Sequence, residues 1–178
     1  MIRTTICDLL HIQHPVALGG MGSATSPELV AAVSNAGGLG ALGCHHLAPT
    51  AVRESPIHPN FKQAIVDSDG HDTQLSEIPD IASGLVWPGA MTRSRRNRFI
   101  ERWAGREWAL RQNRAEALAN LRAARQRGDV DEGGLSMGQD AGLIHDIPSA
   151  AEIVSRIAAE AEEIMSSRFP ALIRTAHG

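Results

Sequence analysis

The chain has 178 residues and a formal net charge of -3, with 43% hydrophobic and 21% charged residues. That length suits one domain, or one domain with an appendage, and allows a real core. A closed (β/α)8 barrel usually needs about 250 residues and rarely closes below about 200. Because no apolar run approaches the ~18–20 residues of a membrane helix and the start does not read as a signal peptide, we expect a cytoplasmic protein that enters no membrane.

The two cysteines, Cys7 and Cys44, are too few for a disulfide framework in a chain of this length. Cys44 stands beside His45 and His46, but these three ligands are too closely spaced for a standard zinc site, and no second ligand pair follows. The sequence therefore predicts reduced thiols and no bound metal.

Arginine is distributed unevenly along the chain. Residues 93–127 hold eleven arginines against three glutamates, a balance of +8, which leaves -11 for the remainder of a chain whose total is -3. A basic helical stretch is compatible with nucleic-acid binding, or with a solvated helix that docks on acidic groups of the same protein. The negative total charge and the scatter of the arginines around the helix favour docking.

The first forty residues have the pattern of a strand, a helix and a second strand. Residues 14–18 form an apolar run that ends in the glycine-rich turn 19–22. Serine, proline and glutamate at 26–28 predict a helix start, and the glycines at 37–38 predict its end. Residues 39–42 form another apolar run. This order predicts a βαβ unit, in which the two strands are parallel.

The rest of the chain is predicted to be mostly helical. Asn60 begins a short helix, and residues 68–92 read as irregular structure with a strand at 73–78. Residues 93–127 give the longest helical signal, which breaks near Gly105. A final amphipathic helix follows residue 149 and precedes a frayed tail.

The final helix has the clearest start signal, because Ser149 and Glu152 have the spacing of a capping box. On these patterns we divide the chain into a strand–helix–strand segment at 1–53, a helical and irregular segment at 54–146, and a C-terminal amphipathic helix with its tail at 147–178.

Two loops are candidates for ligand contact. The turn 19–22 follows a strand and precedes a helix, where glycines let a ligand approach the backbone closely. The loop 138–142, with the sequence Gly-Gln-Asp-Ala-Gly, can present the Gln139 amide to a ligand at little steric cost. From spacing alone, a purely structural turn explains each loop at least as well.

Two blocks of sequence carry a familiar pattern. The first is His14-Pro-Val-Ala-Leu-Gly-Gly-Met-Gly with the helix that begins at Ser26-Pro-Glu-Leu-Val. The second comprises Glu54-Ser-Pro-Ile-His-Pro, Arg96-Asn-Arg-Phe-Ile-Glu-Arg-Trp and Gly138-Gln-Asp-Ala-Gly-Leu-Ile. Over residues 3–165 the chain resembles the nitronate monooxygenases, formerly 2-nitropropane dioxygenases, which are FMN-dependent enzymes on a (β/α)8 TIM barrel.

The resemblance implies a role for each candidate loop. Gly19, Gly20 and Met21 would contact the FMN ring through backbone groups, and Gln139, with Asp140, would line the mouth of the active site. The implied reaction is the oxidation of a nitroalkane or alkyl nitronate by flavin and dioxygen. Another flavin reaction of the same fold, such as enoyl-thioester reduction, remains open, as does a non-enzymatic fragment that binds through residues 93–127.

The family's middle region is missing from this chain. That region carries most barrel strands, the loops for the FMN phosphate and a Gly-Gly-His-type motif with the catalytic histidine. Gly70-His71-Asp72 is not that motif, because its neighbours match the segment after the barrel. The two blocks meet near residues 52–55.

We therefore predict an α/β fold that is a partial (β/α)8 fragment, mostly helical in its second half and without a catalytic residue. FMN would bind weakly or not at all, because its strongest anchors are absent. Apolar faces that would pack into a complete barrel core would be exposed, and could cause oligomerisation or aggregation.

Overall fold

The computed structural model describes residues 2–19, 26–41, 52–86 and 91–168. Helices dominate the second half of the chain, as the sequence predicts. The elements are α1 (Thr5–Leu10), α2 (Pro27–Asn35), α3 (Pro59–Val66), β1 (Thr73–Ser76), α4 (Ile78–Ser83), β2 (Thr92–Arg95), α5 (Arg98–Trp103), α6 (Glu107–Gln112), α7 (Arg114–Arg127), a 3-10 turn (Gln139–Leu143), α8 (Ala150–Glu163) and a π turn (Ile164–Arg168).

The chain divides into two compact units, each assembled from separate stretches of sequence. The terminal unit contains both chain ends and combines Met1–His46 with Val52–Ser55 and Pro148–Gly178. The central unit combines Leu47–Ala51 with Pro56–Ile147. Each unit has its own apolar core, and they are described separately below.

In the terminal unit the two predicted strands are reduced to one parallel bridge, between Ala17 and Leu39. The Leu18 N–H donates to the Leu39 carbonyl at 2.9 Å, and the Leu39 N–H donates to the Val16 carbonyl at 2.8 Å. The pairing is parallel, as predicted, but neither segment is an extended strand. Two short paired segments are marginal without further strands beside them, which explains the reduction. Leu42 lies outside the described residues.

Two helices of the terminal unit, α2 and α8, begin where the sequence predicts, whereas α1 was not predicted. The Ser26 hydroxyl accepts a hydrogen bond from the Leu29 N–H at 3.2 Å, with Pro27 at the first helical position of α2. At α8 the Ser149 hydroxyl accepts from the Glu152 N–H at 3.2 Å, and the Glu152 carboxylate accepts from the Ser149 N–H at 2.7 Å. Both bonds satisfy N–H groups that a helix start otherwise leaves unpaired.

The core of the terminal unit lies between α2 and α8. Side chains from three separate parts of the sequence meet in one cluster. It consists of the buried residues Leu29, Val33, Val52, Ala150 and Val154. Residue 52 comes from the junction between the two sequence blocks, so the junction itself forms part of this core.

The central unit contains the only extended strand pair among the described residues. β1 and β2 are antiparallel, with Thr73 opposite Arg95 and Ser76 opposite Thr92. This corrects the prediction of helix from residue 93, because Thr92–Arg95 is a strand. The helix starts only at Arg98, where the Asn97 side chain accepts a hydrogen bond from the Ile100 N–H at 3.1 Å.

Two apolar clusters hold the central unit together. Helices α4 to α7 surround the first, and α3 packs on the second with the segment that ends in the 3-10 turn. The first cluster includes Ile78, Ile81, Phe99, Ile100, Leu110 and Leu121. The second includes Phe61, Ile65, Leu135, Met137 and Ala141.

Candidate functional site

Gly19 is the one residue of the predicted flavin-contacting trio that the structure describes. It follows the parallel bridge in the terminal unit and is exposed. A Cβ atom built on Gly19 meets no atom of the described residues within 4 Å. Gly20 and Met21 lie outside the described residues, and the flavin contact of all three stays a prediction.

Gln139 belongs to the central unit and begins the 3-10 turn. It is exposed, as a residue at the mouth of a site would be, while its carbonyl is packed under Gly70. A Cβ atom at Gly70, where φ is +82°, would lie 2.1 Å from the Gln139 oxygen. The Asp140 carboxylate turns back over Gly138. The Gln139 backbone is therefore fixed, although its contact with a cofactor stays a prediction.

A polar network that the sequence analysis missed holds the loop beneath Gln139. The Ser68 hydroxyl donates to Asp72 at 2.5 Å and accepts from the Gly70 N–H at 3.0 Å. Arg95 donates to the other Asp72 oxygen at 3.1 Å, and the Thr73 hydroxyl donates to the Gly70 carbonyl at 3.1 Å. Arg95 lies 23 residues from Asp72, so local sequence carries no signal for this contact.

The N-terminus of α2, which follows the glycine-rich turn, is occupied by the protein's own carboxylate. Hydrogen bonds from the Glu28 backbone N–H and from the Ser26 hydroxyl lower the pKa of Glu28. The bonds stabilise the ionised form, and the helix dipole favours a negative charge at this end. An anionic ligand here would have to displace or face that charge.

Two carboxylates occupy the N-terminus of α8. Glu54 accepts a hydrogen bond from the Ala150 N–H at 3.0 Å, and Glu152 accepts from Ser149. Bonds from the Ser149 N–H and hydroxyl lower the pKa of Glu152, with Arg53 and Arg156 adding a smaller effect. Glu54 and Ala150 are 96 residues apart, so sequence patterns do not reveal their contact.

The helix starts of the terminal unit do not fit the phosphate of FMN. Barrel enzymes bind phosphate at glycine-rich loops and helix N-termini, where backbone N–H groups point at the anion. In the terminal unit both long helices start with carboxylates that already accept such N–H groups. A phosphate at either of these helix starts would therefore lie against a carboxylate.

Many arginines of the 93–127 stretch form ion pairs within the central unit. Their partners are aspartates and glutamates of the same unit. The pairs include Arg95–Asp72 at 3.1 Å, Arg98–Asp131 at 3.4 Å, Arg102–Glu132 at 2.7 Å, Arg111–Glu77 at 3.4 Å and Arg127–Asp129 at 3.7 Å. These contacts favour intramolecular docking over a nucleic-acid surface.

Other site types find no support in the part of the chain that is described. No group of three His, Cys, Asp or Glu side chains there could hold a metal ion. The predicted reduced thiol of Cys7 is free and buried, while Cys44, His45 and His46 lie outside the described ranges. None of the described helices combines the length and apolar character needed to span a bilayer.

Comparison with known proteins identifies the first third of the chain. Residues 3–55 match the family model described as nitronate monooxygenase. A probable nitronate monooxygenase of Staphylococcus saprophyticus is 45% identical over 47 residues, which are 26% of this chain and 13% of that protein. Residues 3–55 are therefore similar to the nitronate monooxygenases. The resemblance predicted from the sequence is confirmed over these residues.

A second curated relative carries a different name. A Rhodococcus jostii protein named (3aS,4S,5R,7aS)-5-hydroxy-7a-methyl-1-oxo-octahydro-1H-indene-4-carboxyl-CoA dehydrogenase is 51% identical over 41 residues, which are 23% of this chain and 12% of that protein. In both cases the matched segment is about twice as large a share of this chain as of the relative, so both relatives are about twice as long.

Solved structures with a similar fold superpose on most of the chain. FabK from Thermotoga maritima superposes with a TM-score of 0.69 at 19% identity, covering 93% of this chain and 99% of FabK. Its M276A mutant superposes with a TM-score of 0.68 at 18% identity, covering 96% and 100%. The predicted fold class, an α/β fragment of the (β/α)8 type that is mostly helical in its second half, is confirmed.

Proposed function

We propose that this chain is an FMN-dependent oxidoreductase of the nitronate monooxygenase type from which the middle of the barrel has been lost, and that it is inactive. The observation that carries this proposal is the family match at residues 3–55 in a chain about half as long as its curated relatives. The match ends where the first sequence block gives way to the second, near residues 52–55. A match that stops at this junction is expected when an internal stretch of the barrel is absent.

The packing of α2 on α8 supports the same proposal. In a closed (β/α)8 barrel the helices form a ring, so the first helix and the last are neighbours. Here Leu29 and Val33 of α2 meet Val154 of α8 in one core. The chain thus keeps the point at which such a ring closes.

The junction between the two sequence blocks is built into this core. Val52 is 3% exposed, and the Arg53 N–H donates to the Pro148 carbonyl at 2.9 Å. The Glu54 carboxylate holds the Ala150 N–H. A short link between the ends of a barrel would make contacts of this kind.

The proposed loss of activity follows from what the reaction needs. Oxidation of a nitronate requires a flavin held in place and, for a nitroalkane substrate, a base that removes its proton. The family's histidine motif is missing from the sequence, and carboxylates occupy the helix starts of the terminal unit. The substrate class, an alkyl nitronate or nitroalkane with dioxygen, is therefore assigned to the ancestral enzyme.

A flavin titration of the full chain tests the proposal. We expect the purified protein to be colourless, to leave the fluorescence of added FMN largely unquenched and to consume no oxygen with an alkyl nitronate. The Staphylococcus saprophyticus relative is the positive control. A stoichiometric flavin spectrum together with nitronate-dependent oxygen uptake would refute it. Sequencing the gene across the codons for Val52 to Pro56 shows whether the junction is encoded.

The second candidate is a flavin enzyme acting on thioesters. Two observations favour it: the FabK-like fold, and the 51% identity to a relative whose name specifies a CoA derivative. The same purified chain, supplied with FMN, a reduced nicotinamide cofactor and an enoyl-CoA, distinguishes the two. Loss of nicotinamide absorbance only when the enoyl-CoA is present would support this candidate over the first.

A further inference from the structure

We draw no further inference here: the strongest candidate, the exposed apolar surface patch of Ile157 on α8 and Ile164 at its C-cap, carries none because nothing in the described part of the structure shows what covers it.

Discussion

In the central unit, arginines and carboxylates pair with one another around two apolar clusters, whereas the terminal unit rests on a single cluster between α2 and α8. The central unit draws almost all its residues from one stretch, Pro56–Ile147. The core of the terminal unit joins residues as far apart as Leu29 and Val154. Loss of an internal stretch of sequence therefore affects the two units unequally. The central unit lies wholly on one side of the lost stretch and keeps the residues that it packs against. The terminal unit comes from the two ends of a barrel and loses most of the residues that it packed against.

The largest expected effect tests whether the two units fold separately. Phe99 is 2% exposed in the first cluster of the central unit, and Leu29 is 1% exposed in the core of the terminal unit. Phe99→Ala should lower the free energy of unfolding of the central unit by about 3–5 kcal/mol, through lost burial and a cavity. Leu29→Ala should lower that of the terminal unit by about 2–5 kcal/mol.

Tryptophan fluorescence separates these two results, because all three tryptophans, at 87, 103 and 108, belong to the central unit. In urea titrations Phe99→Ala should shift the fluorescence transition. Leu29→Ala should shift only part of the far-ultraviolet circular dichroism transition. An equal shift of the fluorescence transition by Leu29→Ala would show that the units unfold as one.

The next effect concerns the loop that supports Gln139. Gly70→Ala places a Cβ atom 2.1 Å from the Gln139 carbonyl oxygen in a left-handed backbone conformation. It should cost the central unit about 3 kcal/mol, from the conformation and the overlap together. Gly105→Ala is the matched control: φ is +72° there, but no atom among the described residues lies within 4 Å of the added Cβ.

Gly105→Ala should therefore cost only about 1 kcal/mol, the conformational part. Urea titrations followed by tryptophan fluorescence measure both variants. Equal losses would mean that the contact between Gly70 and Gln139 contributes nothing to stability.

Local sequence predicted the features that depend on neighbouring residues. The N-cap of α2 at Ser26 and the capping box of Ser149 and Glu152 are confirmed, because their partners lie three residues away. The parallel direction of the Ala17–Leu39 pair also follows from the strand–helix–strand order. Such features need no knowledge of the rest of the fold.

Features that depend on distant residues were not predictable in this way. Residues 93–95 of β2 were predicted to be helical. They form a strand because they pair with β1, which lies about twenty residues earlier in the sequence. Glu54 at the start of α8 and Arg95 on Asp72 are further examples. The same holds for the candidate site, because Gly19 and Gln139 were named from a family pattern and their contact with a flavin stays a prediction.

A smaller effect is expected at the start of α8. Ser149→Ala removes the hydroxyl that accepts the Glu152 N–H and should lower the stability of the terminal unit by about 1 kcal/mol. Circular dichroism in urea measures this change. Ser149→Asp restores an acceptor and should recover most of it. A loss of the same size in the fluorescence transition would contradict the separation of the units.

The smallest expected effect is a pH dependence of the terminal unit. Hydrogen bonds from Ser149 hold the pKa of Glu152 below its ordinary value of 4.5 in the folded chain. The unfolded chain therefore binds the proton more readily, so the stabilisation is complete above about pH 4.5 and is lost as the pH falls through the lowered pKa.

Glu152→Gln keeps an acceptor for the Ser149 N–H but does not titrate. Compared between neutral pH and about pH 3, the wild-type chain should lose more stability by circular dichroism than Glu152→Gln. Glu160→Gln, at the other end of α8, is the control and should behave as the wild type. Equal pH dependence in wild type and Glu152→Gln would show that the carboxylate contributes no more than a neutral amide.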